Sequence, residues 1–334
     1  MRNQLLDAVK AVSAYFVVLL HIRFPGRTGE VINVLARFAV PFFFMVSGYF
    51  CYNVHGKSLS RLPGKIKHVL FLTVLSYPFY ILWQCVQRSI EGKDLSAWLG
   101  KLTEGEHIKE FFLYNNSSPV KWHLWFLPAL LYCYLLFAVA EKLRIHKIAY
   151  VLIPVLLAGH FWMEEACAFT GNSYETMEFR NYLYTGFPFF MTGHLIHRYE
   201  GVLREKLSGV YLTAGILCGA LLSVAEYFRF GILELFVGSV ILSVSVFLGA
   251  VLQGSREAGR LTEFFGEIGG KYAFFIYLFH LAVADVVKDL AVFFGVNGSA
   301  AYGWLRPVLV CVLTTFLAMG ISALRPVHLR KNVV

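Results

Sequence analysis

Three ionisable residues stand where lipid-facing sequence is expected: Lys10 and His21 in the first apolar run, and Arg37 in the second. A basic side chain at the centre of a membrane helix costs about 2.5–3.5 kcal/mol on insertion scales, so a buried partner or a water-filled path is expected beside it. On an α-helix the eleven steps from Lys10 to His21 return to nearly the same side, ~16 Å further along the axis. The two residues can therefore line one face of a channel. An imidazole is suited to take a proton from an alcohol, which is a poor nucleophile at neutral pH. Neighbouring cations, Lys10 and Arg37, are suited to hold a developing negative charge. A functional site inside a membrane bundle is the reading these types support. The rival is a substrate path, in which Arg37 pairs with the carboxylate of an amino-acid zwitterion.

Further polar residues recur along the chain. His123 opens an apolar run within Trp122-His123-Leu124-Trp125-Phe126-Leu127-Pro128, and Arg180 and Asn181 open another. Tyr277 and His280 are i, i+3 neighbours on one helical face. Each also has a plainer reading. Tyr277 and His280 fit a polar bridge between helices; His123, Arg180 and Arg306 fit interfacial side chains that snorkel to water. Trp122, Trp125 and Phe126 fit an aromatic belt. Ser47-Gly48 and Gly215 with Gly219 read as close helix contacts. His194 and His197 are spaced like helical metal ligands but have no carboxylate nearby in sequence, so no metal is expected.

The elements that must position these residues follow from composition. Only 15% of the 334 residues are charged and 57% are hydrophobic, with mean hydropathy +0.61, whereas soluble domains carry about 25% charged residues. An integral membrane protein is expected. The net charge of +9 sits in short loops between apolar runs, which argues topology rather than nucleic-acid binding. The cysteines Cys51, Cys85, Cys133, Cys167, Cys218 and Cys311 show no C-x-x-C or metal-ligand spacing. The first run lacks a small-residue cleavage pattern, so no cleavable signal is expected.

Spans are expected at about 7–23, 31–54, 66–87, 122–140, 148–162, 181–196, 209–225, 231–252, 272–291 and 306–324. This is an all-α fold, a polytopic membrane bundle of about ten transmembrane helices in a single domain over 1–334. Pro154 and Pro188 suggest kinks or breaks in the fifth and sixth spans. With the N-terminus inside, 17 Lys and Arg fall on the inner side and 11 on the outer, which places both termini in the cytoplasm. The densest inner cluster is Arg61, Lys65 and Lys67, in the loop before the third span. The outer loop 88–121 carries Leu95, Trp98, Leu99 and Leu102 at helical spacing. An amphipathic segment at about 94–113 is expected there, on the outer membrane surface or packed over the bundle mouth.

Four blocks together resemble a known family. Lys10 and His21 match the R/K-x10-H motif of acyltransferase-3 membrane acyltransferases. Arg37 with Pro41-Phe42-Phe43-Phe44-Met45-Val46-Ser47-Gly48-Tyr49 resembles the second-helix block of that family, and His123-Leu124-Trp125-Phe126-Leu127 its fourth. Lys271-Tyr272 through Tyr277-Leu278-Phe279-His280 is similar to its late helix. The resemblance implies transfer of an acyl group, often acetyl, from cytoplasmic acyl-CoA to a hydroxyl or amine on an outward-facing acceptor such as a cell-wall or surface glycan. It implies His21 as base or transient acyl carrier, with Arg37 and Lys10 on the oxyanion or thioester. Arg61, Lys65 and Lys67 would then bind the CoA phosphates, and His123, Arg180, Asn181, Tyr277 and His280 would contact substrate. The second block most resembles the membrane half of VanT-type serine racemases, which implies L-serine uptake as the alternative. With ten residues after the last span, no racemase domain is expected. The expected partners are the lipid bilayer, acyl-CoA and a glycan or small-molecule acceptor, with a homo-oligomer left open.

Overall fold

The computed structural model describes residues 3–53, 58–166, 170–171, 173–254 and 259–324. Cys167 lies outside the described residues, as do Arg2, Lys57, Arg256, Arg325, Arg330 and Lys331, six of the 17 basic residues assigned to the inner side. Every regular element among the described residues is helical. The chain opens with α1 (Gln4–His21), α2 (Gly26–Ala36), α3 (Ala39–Tyr49) and α4 (Ser58–Ile90). Next come α5 (Leu95–Leu102), α6 (Gly105–Tyr114), a 3-10 turn over Trp122–Trp125, α7 (Phe126–Lys142) and α8 (His146–Phe161). The short α9 (Thr176–Phe179) precedes α10 (Phe187–Arg198) and α11 (Glu200–Lys206). The remainder forms α12 (Gly209–Phe230), α13 (Val237–Leu252), α14 (Arg260–Lys271), α15 (Ala273–Phe293) and α16 (Ala300–Ala323).

Among the described residues, seven helical stretches are long and apolar enough to cross a membrane: Gln4–His21, Gly26–Tyr49, Leu59–Ile90, Trp122–Lys142, His146–Glu165, Gly209–Phe230 and Ala300–Ala323. They fall on the expected first five spans, the seventh and the tenth. The other three expected spans coincide with α10, α13 and α15, which are shorter or carry more charge. The architecture is an all-α polytopic bundle.

Departures from the expected spans have local causes. The second span breaks at Arg37–Phe38, because Pro41 has no N–H to offer the Arg37 carbonyl four residues back. The third begins earlier than expected, so Arg61, Lys65 and Lys67 lie on the first turns of α4 rather than in a loop. A buried stripe through Leu62, Val69, Leu72, Ser76 and Tyr80 carries the helix across Pro63. Pro154 stays inside α8, which ends in a π-helical turn at Trp162–Ala166. Pro188 is no kink: it occupies the first turn of α10, where its missing N–H costs nothing. The break in that span precedes it, as a π-helical turn at Tyr182–Gly186. Segment 94–113 folds as two helices rather than one, with Asp94 capping α5 and a break at Thr103–Glu104.

The chain divides into two compact units, Met1–Phe43 with Glu200–Val334, and Phe44–Tyr199, the division falling inside α3. In the first, Ala11, Ala14 and Val18 of α1 join Ile276, Val310 and Ala318 in an apolar core. A Cβ at Gly269 of α14 would overlap the Asp7 carbonyl, so α14 approaches α1 only because that residue is glycine. Gly215 and Gly219 of α12 are close-contact positions, as expected, against Ser245, Gly238 and Leu242 of α13. In the second unit α3 and α10 cross equally closely, Gly48 against the Phe190 carbonyl and Gly193 against that of Met45.

Candidate active site

The first unit holds the residues with the strongest chemical potential. α1 runs unbroken from Gln4 to His21, so Lys10 and His21 keep the helical spacing, ~16 Å apart along the axis. Lys10 Nζ lies 2.9 Å from Asp7 Oδ1, one turn earlier. Asp7 is buried, so this is the paired charge that burial requires.

His21 is the last residue of α1, and its ring stacks on His280 of α15 at 5.1 Å between centroids and 17° between planes. His280 is fully buried. Its Nδ1 lies 2.6 Å from the Tyr277 carbonyl. A carbonyl only accepts, so Nδ1 carries the hydrogen and Nε2 is the basic nitrogen of the neutral ring. The Tyr277 and His280 rings lie 6.5 Å apart. Three residues from opposite ends of the chain thus share one place.

Arg37 caps the C-terminus of α2 at the break that Pro41 enforces. Its Nη1 donates to Glu234 Oε2 at 2.8 Å and its Nη2 to Asn33 Oδ1 at 3.4 Å. Asn33 Nδ2 donates in turn to the Leu20 carbonyl at 3.0 Å, one residue before His21. The Arg37 side chain is only 10% exposed, and its Nε is buried with no hydrogen-bond partner among the described residues. The Nε–H is thus a buried donor of this fork without a hydrogen bond among the described residues.

The second unit holds the other predicted residues. The Arg180 guanidinium lies 5.8 Å from the Trp122 ring centroid and 5.7 Å from that of Trp125. His123, buried in the same 3-10 turn, packs edge-to-face on Tyr80 at 4.9 Å. Asn181 is committed to the backbone. Its Nδ2 donates to the Met177 and Glu178 carbonyls at 3.0 and 2.8 Å, and its Oδ1 accepts from Leu183 and Tyr184 at 2.9 and 3.1 Å. It caps the π-helical turn beside Arg180 rather than presenting its amide. On α4, Arg61 and Lys65 are i, i+4 neighbours on one face, whereas Lys67 projects from the other side. Lys65 Nζ lies 5.9 Å from the Phe50 ring centroid. His197 and His194 are engaged by aromatic neighbours: His197 stacks on Tyr49 at 4.1 Å, and His194 Nδ1 lies 2.8 Å from the Tyr150 hydroxyl.

Three contributors escaped the sequence reading. Asp7 and Asn33 each lie one turn from a noted cation, Lys10 and Arg37, a spacing visible in the sequence. Glu234 is a carboxylate inside an expected span, and the signal was an intramembrane acid to match an intramembrane base.

A family model described as an acyltransferase domain, acyltransferase-3, matches residues 3–323. The chain belongs to the acyltransferase-3 family. With its long apolar helices, this acyltransferase-3 protein is an integral membrane protein. A serine/alanine racemase from Enterococcus gallinarum is 27% identical over 145 residues, which are 39% of the acyltransferase-3 chain and 18% of that relative. The match therefore spans less than a fifth of the racemase's length. No solved structure matches the chain.

Proposed function

We propose that the protein transfers an acyl group, acetyl in the simplest case, from cytoplasmic acyl-CoA to an outward-facing hydroxyl or amine of a cell-wall or surface glycan. The membrane in question is a bacterial plasma membrane, with both termini in the cytoplasm. The observation that carries this reading is the stack of His21 on His280, two imidazoles placed together inside apolar helices. As general base, His21 takes the acceptor proton while the acceptor oxygen attacks the thioester carbonyl. A C–O bond forms and the carbonyl electrons move onto oxygen, where the Arg37 Nε–H is assigned as the donor. Collapse breaks the C–S bond, and the leaving thiolate takes the proton from His21, giving acylated acceptor and CoA. Tyr277 and His280 line the same place, His280 supporting the His21 ring. Lys10, held by Asp7, keeps the inner part of the helix polar. Arg61 and Lys65, neighbours on one face of α4, are assigned to the CoA phosphates, with Lys67 on another face of the helix. His123 and Arg180 are assigned to the acceptor, and Asn181 holds their turn.

A second reading is passage of L-serine with its carboxylate on Arg37; the weak similarity to a serine/alanine racemase touches the amino acid and not its passage. Calorimetry on purified protein separates the two. Saturable heat with CoA or acetyl-CoA, weaker at high salt, is expected for the transferase. No response to CoA together with a saturable response to L-serine would overturn it.

A further inference from the structure

We propose that Asn33 is a positioning residue that fixes the last turn of α1, and with it His21, against the Arg37 guanidinium. The proposal rests on the acyl-transfer reading in which His21 is the base. A helix ends with four carbonyls that lack intrahelical partners. In α1 the Val18 carbonyl accepts from the Ile22 amide at 2.8 Å, and the Leu20 carbonyl is met from another helix, by Asn33 Nδ2 at 3.0 Å. Asn33 is fully buried, so its contacts are not shared with bulk water. Its orientation follows from its neighbours. Nδ2 faces a carbonyl that only accepts, and Oδ1 faces a guanidinium that only donates, so a flipped amide would oppose like groups on both sides.

The far side of the guanidinium is held by Glu234 Oε2 at 2.8 Å. A continuous line therefore runs from Glu234 through Arg37 and Asn33 to the peptide preceding His21. The base and the oxyanion donor derive their relative placement from one amide. Small misplacement of reacting groups costs rate steeply, so this amide is expected to act on turnover rather than on binding.

The test is a cycle between positions 33 and 21, with wild type, Asn33→Ala, His21→Ala and the double variant in nanodiscs. The readout is CoA thiol release from acetyl-CoA, with water as the default acceptor. Asn33→Ala should lower kcat on the order of 10- to 100-fold while KM for acetyl-CoA stays within about twofold. In the His21→Ala background the same change should cost nothing further, because groups acting as a unit are not additive. Equal losses in both backgrounds, or an unchanged kcat, would overturn the proposal. Loss of rate in Asn33→Ala alone, with His21→Ala fully active, would instead remove His21 as the base, the part of the acyl-transfer reading on which the proposal rests. If Asn33→Ala does not fold, Asn33→Asp decides the matter, since it keeps an acceptor for Arg37 and removes the donor to Leu20. The Leu20 carbonyl 13C shift, which needs no turnover, should then move to that of a carbonyl without this bond. An unmoved shift would count against the role of Asn33.

Discussion

The candidate basic side chains of the two compact units differ in their neighbours. In the first, cations meet carboxylates: Lys10 lies 2.9 Å from Asp7, and Arg37 lies 2.8 Å from Glu234. In the second, candidate residues also lie against aromatic rings, Arg180 near Trp122 and Trp125, Lys65 near Phe50 and His123 edge-to-face on Tyr80, while a carboxylate there, Glu164, lies 3.1 Å from His160. A carboxylate engages a guanidinium at its edge, fixes its rotation and neutralises it. An aromatic face is attracted to the cation without that directional hold. The first arrangement suits a donor that must sit at a set place; the second suits a surface that receives a ligand of variable shape.

The largest expected difference between the two regions is in rate. His21→Ala should lower turnover by roughly 10²–10⁴ while the protein still folds and inserts, as loss of a general base does. His123→Ala, in the second unit, should leave CoA thiol release to water within about tenfold of wild type, because a group assigned to the acceptor matters little when water accepts. Thiol-release assays on both variants measure this. An undiminished His21→Ala, or a collapse of rate in His123→Ala, would reverse the assignment of chemistry to the first unit.

Stability should separate the regions next. Removing one member of a buried ion pair costs about 3–5 kcal/mol. Glu234 is 24% exposed, so part of that cost is screened, and Glu234→Ala is expected to cost about 2 kcal/mol. Trp122 is 45% exposed and shares Arg180 with Trp125, so Trp122→Ala should cost about 0.5–1 kcal/mol. Denaturant titrations in matched micelles give both values. A larger loss for Trp122→Ala would mean that the rings hold charge more firmly than the carboxylates do.

The same contrast explains what could be read from the sequence. Apolar length is a property of one segment, so most spans were legible, as were the glycines at close helix crossings. The break at Arg37 was written in Pro41, yet an unbroken span was expected because hydropathy averages over a single missing N–H. Arg61, Lys65 and Lys67 have the polarity of a loop, which hides a buried stripe whose period only begins at Leu62. Within the candidate site, each residue type was visible, but the pairing was not. His21 meets His280 and Arg37 meets Glu234 across more than half of the chain, and nothing local encodes such a meeting. Asn181 illustrates the opposite case: its type invited a binding role, and local capping uses its whole amide.

The smallest expected effect lies among the exposed cations of α4, where neither a carboxylate nor deep burial amplifies charge. Arg61 and Lys65 are four residues apart, a separation of about 400°, and so share a face, whereas Lys67 is about 200° round from Lys65. A diphosphate that engages one face can meet the first two together and not the third. Exposed pairs contribute about 0.2–1 kcal/mol each. Arg61→Ala with Lys65→Ala should therefore weaken CoA binding by roughly 2- to 30-fold, while Lys67→Ala changes it by less than about twofold. The Debye length falls from about 10 Å at 0.1 M salt to about 3 Å at 1 M, so the gap between the variants should nearly close at high salt. Calorimetric affinities at the two ionic strengths supply the comparison. If Lys67→Ala weakens CoA as much as the double variant, the phosphates do not lie on the Arg61–Lys65 face. If the gap persists at high salt, the pair acts through a buried contact, and the contrast with the ion-paired cations of the first unit disappears.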